Sequence, residues 1–317
     1  MAALADTPFR AADLRTVGVE QIAPVLEAQI SEWRSGLNWD FHPSAILVRR
    51  FVKMRALAGC ALVGPGGIVA GYAYFVAEEG KGLIGDVYVL PRFRSNASEG
   101  LLLEGSLETL FETANVARVE SQILLLSDAV PRNLPYAACA RAFPRLFLEA
   151  GLHGYLPPRA LAPHVTIAPW SLQLQEATGR LMALSYEGHI DAEINDQYRS
   201  AVGARRFLTN IVQYPGCGTF YAPASFASFA GDALCGASLA SLVAPDVGHI
   251  TQVCVSPSHK GTGLGYELVR RSMDALLRHG CRSVSLTVTA ANEAAVRLYR
   301  KMGFATRRSF NAYVWQR

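Results

Sequence analysis

The sequence of 317 residues predicts an α/β (α+β) protein with two domains, each a mixed, mostly antiparallel sheet flanked by helices. The length exceeds that of a typical single domain, and half of the residues are hydrophobic, which is enough for two cores. Strand and helix patterns follow each other in a similar order in both halves, which indicates an internal repeat. Short turns separate successive strand patterns in the second half, which favours antiparallel pairing.

The N-terminal half begins with two segments of helical spacing and continues into strand patterns. The predicted elements are helices at 19–34 and 43–55, strands at 60–63, 68–77 and 84–90, a helix at 97–112 and a strand at 118–126. An additional segment at 128–141 is expected to form a loop. Three prolines make 155–163 the expected linker to the second half.

The C-terminal half repeats this order of elements. The predicted elements are a strand at 164–170, helices at 172–184 and 194–212, strands at 225–230, 234–243 and 249–255, a helix from Leu264, a strand at 282–288, a helix from Asn292, and closing strands at 305–308 and 311–315. A turn at 215–218 separates the second helix from the next strand.

The stretch 249–268 changes from β-branched residues to a basic, glycine-rich turn and then to a helical pattern. The turn has the sequence Lys260-Gly261-Thr262-Gly263-Leu264-Gly265. The first N–H groups of a helix lack intrahelical partners and carry partial positive charge, so such a loop can bind a diphosphate. Glycines allow the phosphates to approach those N–H groups.

Two common nucleotide-binding motifs differ from this loop. A Walker loop requires Lys followed by Ser or Thr after the last glycine, where Tyr266-Glu267 stand. A Rossmann loop requires glycine at 266 and belongs in the first βα unit. The loop instead resembles the (Arg/Gln)-x-x-Gly-x-(Gly/Ala) signature of the GNAT superfamily of acetyl-CoA-dependent acyltransferases, with Lys260 in the basic position. The preceding Val253-x-Val255-x-Pro257 resembles the strand that leads into this loop in the family.

A second motif follows about 30 residues later. The sequence from Asn292 to Phe304 resembles the family signature Asn-x-x-Ala-x-x-Leu-Tyr-x-x-x-Gly-Phe at every specified position. Asn292 is a favourable N-cap and Gly303 a favourable residue after a helix end. With both motifs in the expected order, the C-terminal half is identified as a member of the GNAT superfamily.

The resemblance implies acetyl-CoA as cofactor and a set of contacts to it. In GNAT enzymes the pantetheine runs along the fourth strand, which implies the backbone of Val253, Cys254 and Val255. The residues implied to bind the diphosphate are Lys260, Gly261, Thr262, Gly263, Leu264, Gly265 and Tyr266. Asn292 is a candidate for holding the pantetheine amides and is equally well explained as an N-cap.

The resemblance also places Tyr299 at the general-acid position of the family. A phenol with a pKa near 10 stays protonated at neutral pH and can protonate the departing thiolate. The alternative is a tyrosine that only packs. The general base is not defined by the sequence: His249 is a candidate, whereas Asp246 is better explained as a solvated turn residue.

Other residues offer weaker hypotheses. Cys254 raises the alternative of a covalent acetyl-thiol intermediate, but no adjacent basic group activates it, and a buried strand residue is the simpler interpretation. Tyr214, Cys217 and Tyr221 lie in or after the region that borders the acceptor site in this fold, and they are candidates for substrate contact.

The N-terminal half aligns with the C-terminal half where 87–91 lies over 253–257 and 145–152 lies over 297–304. The resulting pairs are Arg94 with Lys260, Ala97 with Gly263, Glu99 with Gly265 and Phe147 with Tyr299. A carboxylate would then face the diphosphate, and phenylalanine has no proton to donate. The sequence therefore predicts a degenerate GNAT-like domain at 1–160 and a catalytic GNAT domain at 161–317.

Composition limits the remaining partners. The net charge of +4 is mild and forms no basic run, so nucleic acid is not expected. No apolar run is long enough for a membrane span, and the first residues lack signal-peptide features. The six cysteines lack the spacing of a metal site, so no metal is expected. They are expected to be free thiols in a reducing cytoplasm.

These features predict an N-acetyltransferase that transfers an acetyl group from acetyl-CoA to a primary amine of a small-molecule or peptide acceptor by direct attack. The alternative is a non-catalytic acyl-CoA-binding or regulatory module. The sequence leaves open the identity of the acceptor and the oligomeric state, with a dimer among the alternatives.

Overall fold

The computed structural model describes residues 8–78, 80–126, 133–154, 156–214 and 216–317. The chain forms two compact units. The first ends at Arg145, the second extends from Leu146 to Arg308, and Ser309–Arg317 return to the first. Each unit contains a mixed, mostly antiparallel sheet and flanking helices, which confirms the predicted fold class.

The first unit starts with a short strand and two helices, and a third helix follows its fourth strand. Its elements are β1 Arg10–Asp13, α1 Val19–Leu37, α2 His42–Lys53, β2 Gly59–Val63, β3 Val69–Glu78, β4 Lys81–Val89, α3 Asn96–Glu112 and β5 Arg118–Gln122. The strands lie in the order β1-β2-β3-β4-β5, and only β4 and β5 pair in parallel. The core lies between α3 and the sheet, because α3 buries Leu103, Leu107 and Leu110 on one face.

The second unit repeats this plan with additional short elements. The remaining elements of the chain are β6 Ala140–Gly151, β7 Val165–Pro169, α4 Gln175–Ser185, α5 Asp191–Ile194, α6 Ala201–Gln213, β8 Thr219–Phe220, β9 Phe226–Ala230, β10 Ala233–Ala244, β11 Val247–Val255, α7 Leu264–His279, β12 Ser283–Thr289, α8 Glu293–Lys301 and β13 Ala305–Gln316. The strand order in this unit is β6-β12-β11-β10-β9-β7, with β11 and β12 parallel.

The first sheet is completed by a segment that is distant in sequence. Residues 312–316 of β13 pair with 118–122 of β5, and Trp315 joins the core of the first unit. The end of β6 contributes Leu148 to the core of the second unit. The two compact units divide at 145/146, and the predicted domain boundary at 160/161 stays a prediction.

The internal repeat is visible in the same irregularity of both sheets. In the first unit, β4 pairs with β5 only over Lys81–Ile84, and Gly85 is then an extra residue opposite β3. In the second unit, β11 pairs with β12 only over Val247–Ile250, and Thr251 is the extra residue opposite β10. In both units the pairing of the two parallel strands ends directly before the bulge, whereas the antiparallel pairing on the other side continues past it.

The aligned segments 145–152 and 297–304 do not correspond in structure. Residues 145–151 lie in strand β6, whereas 297–301 lie in helix α8. Strand β6 lies beside β12, and the Leu152 N–H donates to the carbonyl of Arg282 next to β12 (2.8 Å), so long-range pairing fixes this segment as a strand. The predicted pairing of Phe147 with Tyr299 is therefore wrong.

Smaller differences concern element ends. The predicted helix at 194–212 is interrupted, because the Ser200 hydroxyl accepts the Gly203 N–H (3.0 Å) and caps a new helix, α6. The two predicted closing strands form one continuous strand, β13. Parts of the predicted loop at 128–141, the linker at 155 and the turn at 215 lie outside the described residues. Within the described part of the chain, no helix has the length and hydrophobicity required to cross a membrane.

Candidate functional site

The end of β11 leads into the glycine loop. Cys254 is buried and pairs with Ala237 of β10, so the peptide groups of Val253 and Val255 face the opposite side, where β12 has separated. The Val253 carbonyl accepts hydrogen bonds from the Tyr186 hydroxyl and the Gln252 side-chain amide, both at 3.3 Å. The structure thus places the three predicted strand residues together beside a gap in the sheet.

The loop ends in a helix N-terminus that no side chain caps. Gly261 and Gly263 have φ values of 79° and 89°, which favour glycine, and Gly263 is the N-cap of α7. The first backbone bond of the helix runs from the Glu267 N–H to the Gly263 carbonyl (3.1 Å). The N–H groups of Leu264, Gly265 and Tyr266 precede it and lie at the positive end of the helix dipole.

The corresponding helix of the first unit is capped by its own side chains. The Ser95 hydroxyl accepts the Ser98 N–H (3.1 Å), and the Ser98 hydroxyl accepts the Ser95 N–H (2.9 Å). The N-cap lies four residues after Pro91 (95 − 91), whereas Gly263 lies six after Pro257 (263 − 257). The loop between the proline and the helix is therefore two residues shorter in the first unit than in the second.

This shorter loop corrects the gapless alignment at the helix start. Glu99 donates its N–H to the Ser95 carbonyl, just as Glu267 donates to Gly263, so Glu99 corresponds to Glu267 rather than Gly265. For the same reason Ala97, and not Glu99, falls on Gly265. Both glutamates are buried.

The predicted basic residue Lys260 is already engaged. Its ammonium nitrogen donates to the carbonyl of Ser185 at the end of α4 (3.2 Å). Its counterpart in the first unit, Arg94, reaches the first helix in the same way, since its guanidinium forms two bonds to the Glu32 carboxylate (2.8 and 2.6 Å). The neighbouring Thr262 hydroxyl donates to the His259 carbonyl (2.8 Å) and stabilises the turn.

Glu267 brings a buried carboxylate into the first turn of α7. Burial would raise its pKa, but hydrogen bonds from Arg270, the Arg159 N–H and Arg271 outweigh burial, so its pKa lies below the usual value. The distances to Arg270 and Arg271 are 2.6 and 3.2 Å. The two arginines thus neutralise a carboxylate that would otherwise repel an anion at this helix end.

The second motif lies next to the first. Gly265 lies against Val255 and Leu298, since a Cβ on Gly265 would be 3.7 and 3.8 Å from their methyl groups. Tyr299, one residue further along α8, is 8% exposed, and its ring meets Phe304 edge to face. In the described part of the chain no hydrogen-bond partner reaches its hydroxyl.

Burial and the charge of Asp191 raise the pKa of Tyr299 above the usual value of a phenol. Its hydroxyl therefore carries its proton throughout the neutral range. Asn292 acts as the N-cap of α8, because its side-chain oxygen accepts the Ala295 N–H (3.3 Å). The structural interpretation of Asn292 is thus supported.

A polar cluster that the motifs do not include lies between β11 and the helices before it. Tyr186 and Tyr198 stack at 4.4 Å, and Gln252 bonds both hydroxyls (2.8 and 3.3 Å). The Asp191 carboxylate accepts a hydrogen bond from Thr289 at the end of β12. No local pattern in the sequence identifies this cluster, because it joins the segment between α4 and α6 to Gln252 of β11 and Thr289 of β12.

An open cleft of about 630 Å³ adjoins this cluster. Its walls include Tyr186, Glu187, His189, Glu193 and Arg199. The His189 ring nitrogen Nδ1 accepts the Asp191 N–H (3.2 Å) and lies 3.5 Å from the Asp191 carboxylate. The cleft thus has ionisable groups of both signs and a volume suited to a small ligand or a peptide end.

The surroundings of His249, Cys254, Asp246 and Tyr221 do not favour the roles of base, nucleophile or substrate contact that were considered for them. Burial lowers the pKa of His249 to about 3, and its Nδ1 contacts the Ser285 hydroxyl (2.8 Å). Burial raises the pKa of the Cys254 thiol to about 12. Asp246 is an exposed turn residue, and the Tyr221 hydroxyl contacts His279 at the far end of α7 (3.0 Å).

Tyr214 and Cys217 are exposed and make no contribution to the cluster around Tyr186. Among the described residues, no group of three or more His, Cys, Asp or Glu side chains could hold a metal ion. The donors that the site offers are backbone N–H groups, one phenol and the side chains around the cleft. These groups suit an anionic ligand and proton transfer.

Comparisons with known proteins agree with this arrangement. Residues 192–304 match the model of the acetyltransferase (GNAT) family. Mycothiol acetyltransferase of Corynebacterium glutamicum is 39% identical over 69 residues, which cover 22% of this chain and 24% of that protein. Streptothricin acetyltransferase of Streptomyces lavendulae is 39% identical over 56 residues, which cover 18% of this chain and 30% of that protein. The chain therefore matches less than a third of either relative.

Solved structures resemble the chain over nearly its whole length. A GCN5-related N-acetyltransferase from Sphaerobacter thermophilus has a TM-score of 0.68 at 18% identity and covers 98% of this chain and 96% of its own. A tandem GNAT protein from the clavulanic acid biosynthesis pathway has a TM-score of 0.63 at 16% identity, covering 97% and 98%. At such identities the likeness concerns the fold.

Proposed function

Because residues 192–304 match the GNAT acetyltransferase family, we propose that the chain transfers an acetyl group from acetyl-CoA to a primary amine. The observation that carries the proposal is the uncapped glycine N-terminus of α7 beside the gap between β11 and β12. That arrangement offers a diphosphate site and a channel for an extended chain side by side. The family supplies the chemistry expected there.

We assign cofactor binding to two groups of residues. The backbone of Val253, Cys254 and Val255 would pair with the pantetheine, and the N–H groups from Gly261 to Tyr266 would bind the diphosphate. Each charge-assisted hydrogen bond contributes about 1.5–3 kcal/mol, so a few of them reach the roughly −8 kcal/mol of a micromolar ligand after the costs of association. Lys260 would add positive charge, since its ammonium keeps that charge and two further N–H donors while it bonds the Ser185 carbonyl.

Tyr299 is our candidate for the general acid. Bound acetyl-CoA supplies a thioester-activated acetyl group, and the chain must then provide a proton to the departing sulfur. The Tyr299 hydroxyl holds its proton and has no other partner in the described part of the chain, which makes it available for this transfer. The amine loses its own proton to a base or to water.

The acceptor would enter through the cleft beside Tyr186. His189 and Asp191 are the candidates for binding the amine or accepting its proton, because His189 lines the cleft and the charge of Asp191 reaches Tyr299. The named relatives act on different compounds, so the cleft is assigned to a small-molecule or peptide amine without a narrower class. The free thiols of the six cysteines favour a cytoplasmic location.

We further propose that the first unit is a GNAT-like copy without cofactor binding. Ser95 and Ser98 occupy N–H groups that a diphosphate would need, and Glu32 holds Arg94 in a bidentate ion pair. A phosphate would have to displace both sets of contacts. The chain should accordingly bind one acetyl-CoA.

Calorimetric titration with acetyl-CoA tests the proposal, with a double variant Gly263→Glu, Gly265→Glu as control. One site per chain that the variant loses is expected, followed by release of the CoA thiol when suitable amines are added. Binding without acetylation of any amine would favour the non-catalytic alternative. Two sites would contradict the proposed state of the first unit, and no binding would refute the cofactor assignment.

A further inference from the structure

The segment before β7 lies on the N-terminal end of α7. The Tyr266 hydroxyl donates to the carbonyl of Pro157 (2.9 Å), and the Arg159 N–H donates to the Glu267 carboxylate (3.2 Å). The donor Tyr266 and the acceptor Glu267 both belong to the first turn of α7. The backbone of 157–159 is therefore held at two points beside the proposed diphosphate site, although it lies outside the glycine motif and outside the segment matched by the family model.

These contacts direct the Arg159 side chain toward the glycine loop. Its guanidinium carbon lies 4.9 Å from the centre of the Tyr266 ring, a cation–π distance. Its Cδ atom lies 3.3 Å from the position that a Cβ of Gly263 would occupy. The residue is exposed, so a ligand on the loop can reach it.

The charge of Arg159 is available at this end of the helix. Glu267, the acidic residue in the first turn, receives its side-chain ion pairs from Arg270 and Arg271 and only a backbone N–H from Arg159. Within the described residues, no carboxylate pairs with the Arg159 guanidinium. Lys260, the basic residue of the motif itself, is bound to the Ser185 carbonyl.

We propose that Arg159 binds a phosphate group of the cofactor, as a phosphate-binding residue that the segment before β7 adds to the loop. The inference rests on the proposed acetyl-CoA site. A planar guanidinium can donate two parallel hydrogen bonds to phosphate oxygens. Coenzyme A offers two such groups, the diphosphate and the 3′-phosphate of its ribose.

The test compares Kd values for coenzyme A and 3′-dephospho-coenzyme A by calorimetry in the intact chain and in Arg159→Gln. We expect the variant to bind coenzyme A roughly tenfold more weakly, which corresponds to one charge-assisted hydrogen bond at an exposed site. If Arg159 contacts the 3′-phosphate, the loss disappears with the dephospho form. If it contacts the diphosphate, the loss persists with both ligands.

Controls separate charge from structure. Arg159→Lys should recover part of the affinity, and the loss in Arg159→Gln should shrink as salt screens the charge. Arg278→Gln, an exposed position at the other end of α7, should bind like the parent chain. Equal affinity of Arg159→Gln and the parent would overturn the inference while the proposed function stands, whereas a parent chain that binds no coenzyme A would overturn both.

Discussion

His249, Cys254 and Tyr299 show how burial decides the chemistry available to single residues. A histidine with a pKa near 3 is a weak base at neutral pH, and a thiol with a pKa near 12 forms almost no thiolate. The same effect keeps the Tyr299 phenol protonated. Burial therefore disfavours a covalent route through Cys254, and it keeps the proton on Tyr299 without making that phenol a stronger acid.

The first prediction at this scale concerns Tyr299→Phe. The change removes the proton donor and leaves the ring packed against Phe304, so kcat should fall by about 10²–10⁴ while Kd for acetyl-CoA stays within about twofold. Steady-state kinetics and calorimetry measure the two quantities. Tyr221→Phe, which also removes one hydroxyl, is the control. An unchanged kcat in Tyr299→Phe would show that another group protonates the thiolate.

The second residue-scale prediction concerns Asp86 in the first unit. Burial raises its pKa to about 6, in spite of hydrogen bonds from the Gln29 side chain and the Val87 N–H. The folded state then binds a proton more tightly than the unfolded state, so the stability associated with this group is full below about pH 4 and is lost as pH rises through 6.

Asp86→Asn removes this dependence. The variant should unfold at higher denaturant concentration than the parent at pH 7, and the difference should disappear near pH 4. Denaturant unfolding at the two pH values measures it, with Asp232→Asn in the exposed β9–β10 turn as control. If Asp86→Asn is less stable than the parent at pH 7, the folded protein stabilises the ionised carboxylate of Asp86, and the prediction is wrong.

At the scale of elements, the N-termini of α3 and α7 determine the difference between the two units. Both helices follow a strand with a bulge at the same place, but α3 begins with Ser95 and α7 with Gly263. A serine N-cap contributes about 1 kcal/mol to its helix and occupies N–H groups. A glycine N-cap leaves those groups for a ligand at some cost in helix stability.

The prediction for this element compares Gly263→Ala with Gly265→Ala. Alanine at 263 must adopt a φ near 89° with its Cβ 3.3 Å from Arg159, which costs on the order of 1–3 kcal/mol and should weaken acetyl-CoA binding. Alanine at 265 would make ordinary van der Waals contacts with Val255 and Leu298, and this variant should bind nearly like the parent. Thermal unfolding and calorimetry distinguish them, and equal behaviour of the two variants would refute the argument.

For the whole chain, the main long-range dependence is that the first unit takes a strand segment from the C-terminal end. Trp315 is fully buried in the core of the first unit, and its indole N–H donates to the Pro135 carbonyl (2.8 Å). Trp315 follows the second motif closely in the sequence, and no local pattern indicates that this residue belongs to the first unit. Its membership follows from the pairing of β13 with β5.

Trp315→Ala should therefore destabilise the first unit by about 3–5 kcal/mol and leave the Kd for acetyl-CoA within about twofold. Trp170→Ala is the matched control, because Trp170 is buried in the second unit and bonds Thr178 (2.9 Å), so its loss should impair the cofactor site. Denaturant unfolding followed by titration measures both effects. Loss of acetyl-CoA binding in Trp315→Ala would contradict this prediction, because it would show that the cofactor site depends on the core of the first unit.

Hydrophobic periodicity, capping and turn chemistry act within a few residues, so the order of amino acids predicted most helices and strands, the two motifs and the glycine N-terminus of α7. The folded chain was needed to show that 145–151 form a strand, that 312–316 pair with β5 and that Lys260 bonds the Ser185 carbonyl. It also brought Arg159, Asp191 and Tyr186 beside the motifs. These contacts join residues far apart in the chain, and no local pattern encodes such pairings.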